Sequence, residues 1–393
     1  MFAKRIDSVE YAIRDLVEVA KKLEKDGMDI TYLNIGDPGK YDFETPQKIQ
    51  EGFLEGGKHN YYSDSQGDLE CREKIALKEK YMNDVNISPD DLIITSGVSE
   101  SINFLSGCLV EESSEALLGG PSYPSYIAFT KFYEGTPVFY RMDEKNGWNP
   151  DIEDIEKNIT PNTKYLQIIN PNNPTGAVYT EKTLKGMINL AGQYDLFLVS
   201  DEIYDGMVFD GEFKSTASLT DDVPVIGFNG FSKTYLIPGA RLGYVYFANA
   251  DEKSLELKEN MLKLARIRLC ASTPTQKAVI PAIGHEEEFL GDTMKKIKSR
   301  ADLTYKRLNE IDGISCAKPK GAFYAFPKVE LDDKWENDKE FVVDLLKTKG
   351  ILTVNGSGFG DYGEDHFRIV YLAQENVLSE AFDKIEDFMK EKY

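Results

Sequence analysis

The strongest constraint on the fold is a regular alternation of short apolar runs and helical patterns between about Asp91 and Phe247. This alternation predicts βαβ units, and therefore a mostly parallel sheet with helices packed on it. The apolar runs predict seven strands, at residues 92–95, 116–118, 137–141, 165–169, 196–200, 225–228 and 243–247. Several runs end in polar or glycine-rich turns. Because ligands bind at the carboxyl ends of strands in open α/β sheets, we expect a site where those turns meet.

The pattern changes after about residue 285. A long helix is predicted over 286–311, strands over 321–326, 351–354 and 367–372, and a last helix over 378–390. Near the amino terminus, residues 8–25 have apolar side chains at helical spacing among charges, which predicts an amphipathic helix and not a signal peptide. We therefore expect a large α/β domain over residues 46–285 and a smaller α+β domain made of residues 1–45 and 286–393.

Composition excludes several classes of function. The 393-residue chain has 46 Lys and Arg against 67 Asp and Glu, a formal net charge of −21, so nucleic acids and anionic membranes are poor partners. No apolar run approaches the length of a membrane span. The four cysteines are far apart, which favours reduced thiols in a cytoplasmic enzyme. The three histidines, His59, His285 and His366, form no metal-ligand cluster in the sequence, so we expect no metal.

Three of the turns contain dense sets of polar residues. They are Asn-Pro-Asn-Asn-Pro-Thr-Gly at 170–176, Ser-Asp-Glu-Ile-Tyr at 200–204 and Asn-Gly-Phe-Ser-Lys-Thr-Tyr at 229–235, which Arg241 follows. Asp201 ends an apolar strand, where an unpaired carboxylate is costly to bury. A further turn, Thr-Ser-Gly-Val-Ser-Glu at 95–100, runs from a strand into a helix and so presents unpaired N–H groups to an anion.

In this order and at these spacings, the turns resemble the signature of class I and II aminotransferases, which use pyridoxal 5'-phosphate (PLP). The resemblance covers nearly the whole chain. It implies the fold-type-I architecture of PLP-dependent transferases, with a seven-stranded, mostly parallel sheet in the large domain and a smaller α+β domain. Segments 8–15, 59–62 and 264–270 are most similar to alanine aminotransferases of the archaeal type.

The resemblance implies three catalytic residues. Lys233 corresponds to the lysine that binds the cofactor aldehyde covalently, Asp201 to the carboxylate beside the pyridine nitrogen, and Tyr204 to the phenol that hydrogen-bonds the 3'-oxygen. The other implied cofactor ligands are Asn173 at the same oxygen, Tyr123 stacked on the ring, and Val98, Ser99, Ser232 and Arg241 at the phosphate. Two points stay open. Ser99 could be only a helix N-cap, and Gly230 stands where the family often has a phosphate-binding serine.

For the substrate, the resemblance implies that Arg368 binds the α-carboxylate and that the backbone of Gly36 lies against the substrate, beside Asn173. Arg268 has the spacing of an arginine that binds a side-chain carboxylate in aspartate-type enzymes. It could equally be a helix-end arginine that pairs with the helix dipole or an acidic neighbour. Tyr62 corresponds to a tyrosine that reaches the neighbouring subunit's phosphate, which implies a homodimer with shared active sites.

The implied reaction is a ping-pong transamination from an L-amino acid, most simply alanine, to 2-oxoglutarate. Aspartate or an aromatic amino acid are alternative donors. Cβ–S lyases and ring-forming synthases use the same scaffold, so the fold does not decide the reaction. PLP-binding transcription regulators carry an added DNA-binding module, for which we expect no room before Tyr32 and the wrong charge.

Overall fold

The computed structural model describes residues 2–9, 12–332 and 334–392. Helices and strands alternate over most of this length. The α-helices are α1 Ala12–Asp15, α2 Val17–Lys25, α3 Gln47–Gly56, α4 Leu69–Asn83, α5 Val98–Leu109, α6 Pro124–Phe132, α7 Ile152–Asn158, α8 Glu181–Gln193, α9 Glu252–Arg268, α10 Thr273–Val279, α11 Leu290–Leu308, α12 Asp338–Lys349 and α13 Glu375–Lys392. The strands are β1 Thr31–Tyr32, β2 Leu92–Thr95, β3 Glu115–Gly120, β4 Thr136–Asp143, β5 Asn149–Pro150, β6 Thr163–Ile169, β7 Phe197–Asp201, β8 Val225–Gly230, β9 Gly243–Ala248, β10 Ile314–Ser315, β11 Tyr324–Ala325, β12 Lys328–Val329, β13 Ile351–Leu352, β14 Val354–Asn355 and β15 Phe367–Val370.

Within the described residues, eight strands form one sheet in the order β2-β9-β8-β7-β6-β3-β4-β5. Five neighbouring strands are parallel to one another: β8, β7, β6, β3 and β4. β9 is antiparallel to both of its neighbours, β2 and β8, and β5 is antiparallel to β4. Every predicted strand is present, but the predicted number of seven is wrong, because β5 is an eighth. It consists of Asn149 and Pro150 alone, which is too short for a periodic signal, and proline is tolerated at a sheet edge.

Both faces of the parallel strands are buried. Leu198 of β7 packs in one core cluster with Leu117 and Leu166, whereas the next residue, Val199, packs in another cluster with Leu118. Neighbouring side chains of a strand point to opposite faces, and each cluster also contains helix residues. Because helices cover both faces of the sheet, the strand sequences are apolar without alternation.

The parallel arrangement brings the polar turns together. β6 ends at Ile169, β7 at Asp201 and β8 at Gly230, and each is followed by one of the three turns singled out in the sequence. Because β6, β7 and β8 are adjacent and parallel, their carboxyl ends lie at the same edge of the sheet. The turn before α5 follows β2, which pairs with β9 beside them.

The remaining elements form a second core with α11, α12 and α13. β1 pairs in parallel with β13, which joins the amino-terminal segment to the carboxyl-terminal part of the chain. This pairing agrees with the expected small domain, although its boundaries at residues 45 and 286 stay a prediction. Small sheets of two or three strands, β10-β12 and β11-β15-β14, complete this part.

Two predicted helices are divided. The helix predicted over 286–311 is a short 3-10 turn, Glu286–Glu288, followed by α11, because Phe289 between them has φ −133° and is not helical. The helix predicted over 8–25 consists of α1 and α2, and its residues Glu10 and Tyr11 lie outside the described residues. In the described parts of the chain, no helix combines the length and the apolar character needed to cross a bilayer.

One of the three histidines lies beside two glutamates, and the expectation of no metal stays a prediction. His285, Glu287 and Glu288 place one ligand atom each within 4.8 Å of one another. Both glutamates are exposed, and the carboxylate of Glu288 lies 2.9 Å from Lys48 Nζ and 3.0 Å from His285 Nδ1. Ion pairing at the surface accounts for this group, so we assign no metal to it.

Candidate active site

A cavity of about 490 Å³ lies where the polar turns meet. Its wall combines the carboxyl ends of the parallel strands with residues of the amino- and carboxyl-terminal parts of the chain. The predicted site residues that line it are Gly36, Val98, Ser99, Tyr123, Asn173, Asp201, Tyr204, Ser232, Lys233, Arg241 and Arg368. Tyr62 and Arg268 do not line it.

Asp201 is a buried carboxylate that forms no ion pair with any described residue. It is 2% exposed, and its oxygens accept hydrogen bonds from the Tyr126 hydroxyl at 3.1 Å and from the Ile203 N–H at 3.3 Å. Burial raises the pKa of Asp201 to about 7, although these hydrogen bonds act in the opposite direction. A protonated ring nitrogen would supply the missing cation. The residue therefore fits a pyridinium partner.

Lys233 follows β8 and extends into the cavity. Its Nζ donates to the carbonyl oxygen of Gly36 at 2.8 Å and lies 5.2 Å from the ring centroid of Phe323. Burial and the nearby charge of Arg368 together lower the pKa of Lys233 to about 8. An amine with this pKa is partly neutral near pH 7, so it can attack an aldehyde and can accept a proton.

The amino end of α5 and Arg241 form a cationic pole of the cavity. Arg241 donates to the carbonyl oxygens of Ser96 at 3.1 Å and Pro238 at 3.0 Å. Gly97 has φ +84°, and a Cβ on it would lie 2.6 Å from Nη2 of Arg241, so only glycine permits this approach. The first N–H groups of a helix have no helical acceptor and bind anions. The pole therefore suits a phosphate.

The structure resolves both open points about the phosphate residues. α5 begins at Val98 with Gly97 as its N-cap, so the interpretation of Ser99 as an N-cap is wrong. At Gly230, a Cβ would lie 2.9 Å from both the Cα of Gly243 and the carbonyl oxygen of Leu242. The backbone therefore leaves no room for a serine side chain there, while Ser99 and Ser232 both line the cavity.

Arg368 is a buried guanidinium that forms no ion pair with any described residue. It is 1% exposed in β15; Nη1 donates to Asn173 Oδ1 at 2.9 Å, and Nη2 to the carbonyl oxygen of Asn34 at 2.5 Å. Its Nε has no hydrogen-bond partner among the described residues. Because an unpaired buried charge is costly, a carboxylate that met this planar fork would be bound strongly.

Tyr62 and Arg268 lie elsewhere. Tyr62 is 80% exposed. Arg268 is the last residue of α9 and pairs with Glu100 at 3.0 Å, while its Nη2 donates to the carbonyl oxygens of Ser65 and Ile94, each at 3.2 Å. The interpretation as a helix-end arginine with an acidic neighbour therefore describes its contacts within one chain. Its role toward a substrate stays a prediction.

Three polar residues line the cavity that the sequence did not identify as site residues: Arg14, Asp37 and Tyr324. Arg14 lies in a segment that carried the resemblance, and Asp37 follows Gly36. Tyr324 lies in a predicted strand, and its hydroxyl is 2.6 Å from that of Tyr204. None of them lies in one of the polar turns, and none stands at a position to which the family resemblance assigns a role.

Comparisons with known proteins show the family to which the chain belongs. The family model of class I and II aminotransferases matches residues 29–385. The chain is 36% identical to the alanine aminotransferase of Mycobacterium tuberculosis, over 98% of this chain and 91% of that protein. It is 35% identical to the glutamate-pyruvate aminotransferase AlaA of Escherichia coli, over 98% and 97%. A solved structure of an alanine aminotransferase from Pyrococcus furiosus has a TM-score of 0.97 and 51% identity, and the match covers 100% of both chains.

Proposed function

Because the chain belongs to the class I and II aminotransferases, we propose that it transfers the amino group of L-alanine to 2-oxoglutarate. The predicted family and fold class are confirmed, and enzymes of this class use PLP. The observation that carries the proposal is a pair of opposite buried charges in one cavity, each without an ion-pair partner among the described residues. Asp201 can pair with a cationic ring and Arg368 with a carboxylate, and Lys233 lines the same cavity.

The cavity fits the cofactor on both its charges and its hydrogen-bonding groups. In our assignment Asp201 faces the ring nitrogen, Tyr123 the ring, and Tyr204 with Asn173 the 3'-oxygen. The phosphate would be held at the cationic pole by Val98, Ser99, Ser232 and Arg241. When bound, PLP supplies an electron sink that stabilises negative charge at the substrate Cα.

Each remaining step belongs to this chain's own residues. Arg368 holds the α-carboxylate of the amino acid through its planar fork. Lys233 would take the proton from the substrate Cα and would deliver it to C4' of the cofactor. Its lowered pKa suits this exchange, because transfer is most efficient when the pKa lies near the working pH. Proton transfer by a positioned group contributes on the order of 10²–10⁴ in rate.

The lining of the cavity supports the choice of substrates. Ile13 and Ile35 supply apolar surface for the methyl group of alanine. The second carboxylate of 2-oxoglutarate requires a second cation, and Arg14 lines the same cavity. The relatives named for alanine and for glutamate and pyruvate point to the same pair of substrates. Arg268 is the alternative second cation, offered by a second copy of the chain.

Two substitutions separate these candidates. Arg14→Gln and Arg268→Gln remove the same charge from different places. If Arg14 binds the distal carboxylate, its variant raises the KM for 2-oxoglutarate roughly 10-fold or more, the loss of one charged hydrogen bond, and leaves the KM for alanine nearly unchanged. The Arg268 variant then leaves both constants alone. The reverse pattern would transfer the role to Arg268.

We further propose a homodimer in the cytoplasm. Several large apolar or aromatic side chains are exposed on the isolated chain, and burial against a second copy would explain them. They include Leu54 at 78%, Tyr62 at 80% and Ile267 at 81% exposure. The four cysteines are free thiols, as expected in a reducing compartment. Equilibrium sedimentation tests the dimer, and a concentration-independent monomer would contradict it.

The test of function is a product assay. Protein loaded with PLP receives L-alanine and 2-oxoglutarate, and pyruvate and glutamate are measured; L-aspartate and L-phenylalanine replace alanine in parallel reactions. We expect equimolar pyruvate and glutamate, with kcat/KM for alanine about 10-fold or more above the other donors, a difference that pocket contacts can supply. Preference for aspartate or phenylalanine would refute the substrate. A parallel reaction with an S-substituted L-cysteine and no oxo acid tests for a Cβ–S lyase, because β-elimination of the thiol would release pyruvate and ammonia.

A further inference from the structure

Tyr204 and Tyr324 form a close hydroxyl pair at the wall of the cavity. Their oxygens are 2.6 Å apart, and either could be the donor. Both side chains are buried, at 3% and 2% exposure, and their rings meet edge to face with centroids 5.7 Å apart. A hydroxyl has one proton, so only one of the two can donate in this bond. The direction of donation therefore decides where the other proton points.

Tyr324 is held in place by its surroundings. It lies in β11, where it pairs with Val370 of β15. Its hydroxyl lies so close to Gly36 that a Cβ on that glycine would be 2.6 Å from the oxygen. The guanidinium of Arg368 lies 4.6 Å from the centroid of its ring. With the backbone paired and both the ring and the hydroxyl in contact, Tyr324 has little freedom to turn away from Tyr204.

The charges around the pair favour Tyr324 as the donor. Burial raises the pKa of Tyr324 to about 12, while the charge of Arg368 lowers it. Burial raises the pKa of Tyr204 well above its ordinary value, and Arg368 lowers it there too. The guanidinium of Arg368, however, lies 4.6 Å from the ring centroid of Tyr324, whereas the cation over the ring of Tyr204 is Lys233, at 5.9 Å. Of two phenols in contact, the more acidic one is the better donor. The position of Arg368 therefore favours Tyr324 as the donor and Tyr204 as the acceptor.

We propose that Tyr324 is a positioning residue that donates its hydroxyl hydrogen bond to Tyr204 and thereby directs the proton of Tyr204 to the 3'-oxygen of the cofactor. The inference rests on the proposed function, since it uses the role assigned there to Tyr204. If Tyr204 donated to Tyr324 instead, it would have no proton left for the cofactor. A phenol that accepts a hydrogen bond also becomes a stronger donor, because hydrogen bonds in a chain polarise one another.

The test is a spectrophotometric pH titration of the PLP-loaded protein, in which the visible band reports the protonation of the bound cofactor. A hydrogen bond to the 3'-oxygen stabilises its deprotonated form, so losing that bond raises the pKa of the transition. We expect Tyr204→Phe to raise it most. Tyr324→Phe should raise it in the same direction by about two- to tenfold in the dissociation constant, the range of one neutral hydrogen bond.

The double variant is decisive. If Tyr324 acts through Tyr204, the variant Tyr204→Phe with Tyr324→Phe has the same pKa as Tyr204→Phe alone. Additive shifts, or no shift in Tyr324→Phe, would overturn the proposal. Tyr371→Phe is the matched control, because it removes another buried hydroxyl outside the cavity, and it should leave the pKa unchanged.

Two further measurements keep the outcome interpretable. In thermal unfolding without PLP, the Tm of Tyr324→Phe should be close to that of Tyr371→Phe. If Tyr324→Phe does not fold, Tyr324→Leu replaces it, and the same shift in the pKa of the cofactor transition is expected. If the unmodified protein shows no visible band with PLP, the proposed function itself is refuted. If the unmodified protein and Tyr204→Phe behave as expected but Tyr324→Phe does not, only this inference is refuted.

Discussion

Two buried aspartates, four residues apart, have opposite surroundings. Asp201 ends β7 and forms no ion pair with any described residue; burial raises its pKa to about 7, although the charge of Lys233 acts to lower it. Asp205 lies 2.5 Å from the Nζ of Lys78, and although burial acts to raise its pKa, the charge of Lys78 holds that pKa below its ordinary value. Both are almost fully buried. Burial alone therefore does not distinguish a functional carboxylate from a structural one, whereas the missing partner does.

The surroundings of Asp205 are complete. Besides Lys78, it accepts hydrogen bonds from Asn229 at 2.8 Å, Asn83 at 3.0 Å and Thr234 at 2.9 Å. These contacts join α4, the end of β8 and the residue after Lys233. The cluster thus fixes the segment that carries Lys233, while Asp201 in the cavity is left for a ligand. The segment from Asp201 to Asp205 therefore contributes one carboxylate to the cavity and one to the buried cluster that holds the neighbouring chain in place.

The largest effect should come from removing the charge of Asp201. Asp201→Asn keeps the shape of the side chain but removes the carboxylate that would face the ring nitrogen. We expect kcat to fall on the order of 10²–10⁴-fold, comparable to the loss of a positioned proton-transfer group. The unfolding free energy of the PLP-free protein should stay the same or rise, because an unpaired buried charge has been removed. A large loss of stability would contradict the comparison.

The next effect concerns the complete cluster. Lys78→Met leaves Glu79 and Asp205 buried without their cation, which should lower the unfolding free energy by about 3–5 kcal/mol. Urea unfolding of the PLP-free protein measures this. Lys74→Met, on the same helix at a partly exposed position, is the control and should change the stability by less than about 0.5 kcal/mol. Equal stability of the two variants would refute the structural role of the cluster.

Arg368 should behave like Asp201. Arg368→Met removes the group that holds the α-carboxylate, so the KM for alanine should rise roughly 10- to 150-fold, the value of a hydrogen bond to a charged group. Stability without ligand should fall by much less than in Lys78→Met, since Arg368 has no ion-pair partner to leave behind. Steady-state kinetics and urea unfolding on the same preparation decide the point, and an unchanged KM would remove Arg368 from the substrate site.

The smallest effect concerns how the unfolding free energy changes with pH. Since the pKa of folded Asp201 lies above its unfolded value, the folded protein binds more protons between about pH 4 and 7, and stability falls as the pH rises through this window. Glu202, whose pKa burial also raises to about 7, adds to the slope. Asp201→Asn should therefore flatten the slope of the PLP-free protein without abolishing it. An identical slope in both proteins would show that Asp201 has an ordinary pKa.

The cofactor side of the site could be predicted from the sequence because its parts are local. Asp201 ends a strand, Lys233 follows one, and parallel pairing of adjacent strands brings their turns together. Tyr324 and Arg14 could not be predicted in the same way. They reach the cavity from distant parts of the chain, through packing that no local pattern encodes.

The same distinction explains the errors in the fold. The seven predicted strands stand out as continuous, mainly apolar runs, whereas β5 has only Asn149 and Pro150 and is defined by its pairing with β4. The predicted helix over 286–311 has continuous helical spacing, but the backbone leaves the helical conformation at Phe289. The burial of Lys78 and Glu79 could not be predicted from the sequence either, because charged residues on a helix usually face solvent.

The most direct test of the account is an absorbance spectrum of the purified protein after PLP is supplied, repeated after L-alanine and then after 2-oxoglutarate. The account predicts a visible band that alanine removes with release of an equimolar amount of pyruvate, and that 2-oxoglutarate restores. In Asp201→Asn both changes should be far slower, while in Lys74→Met they should keep their rate. A protein that shows no visible band with PLP, or whose band does not respond to alanine, would contradict the central claim.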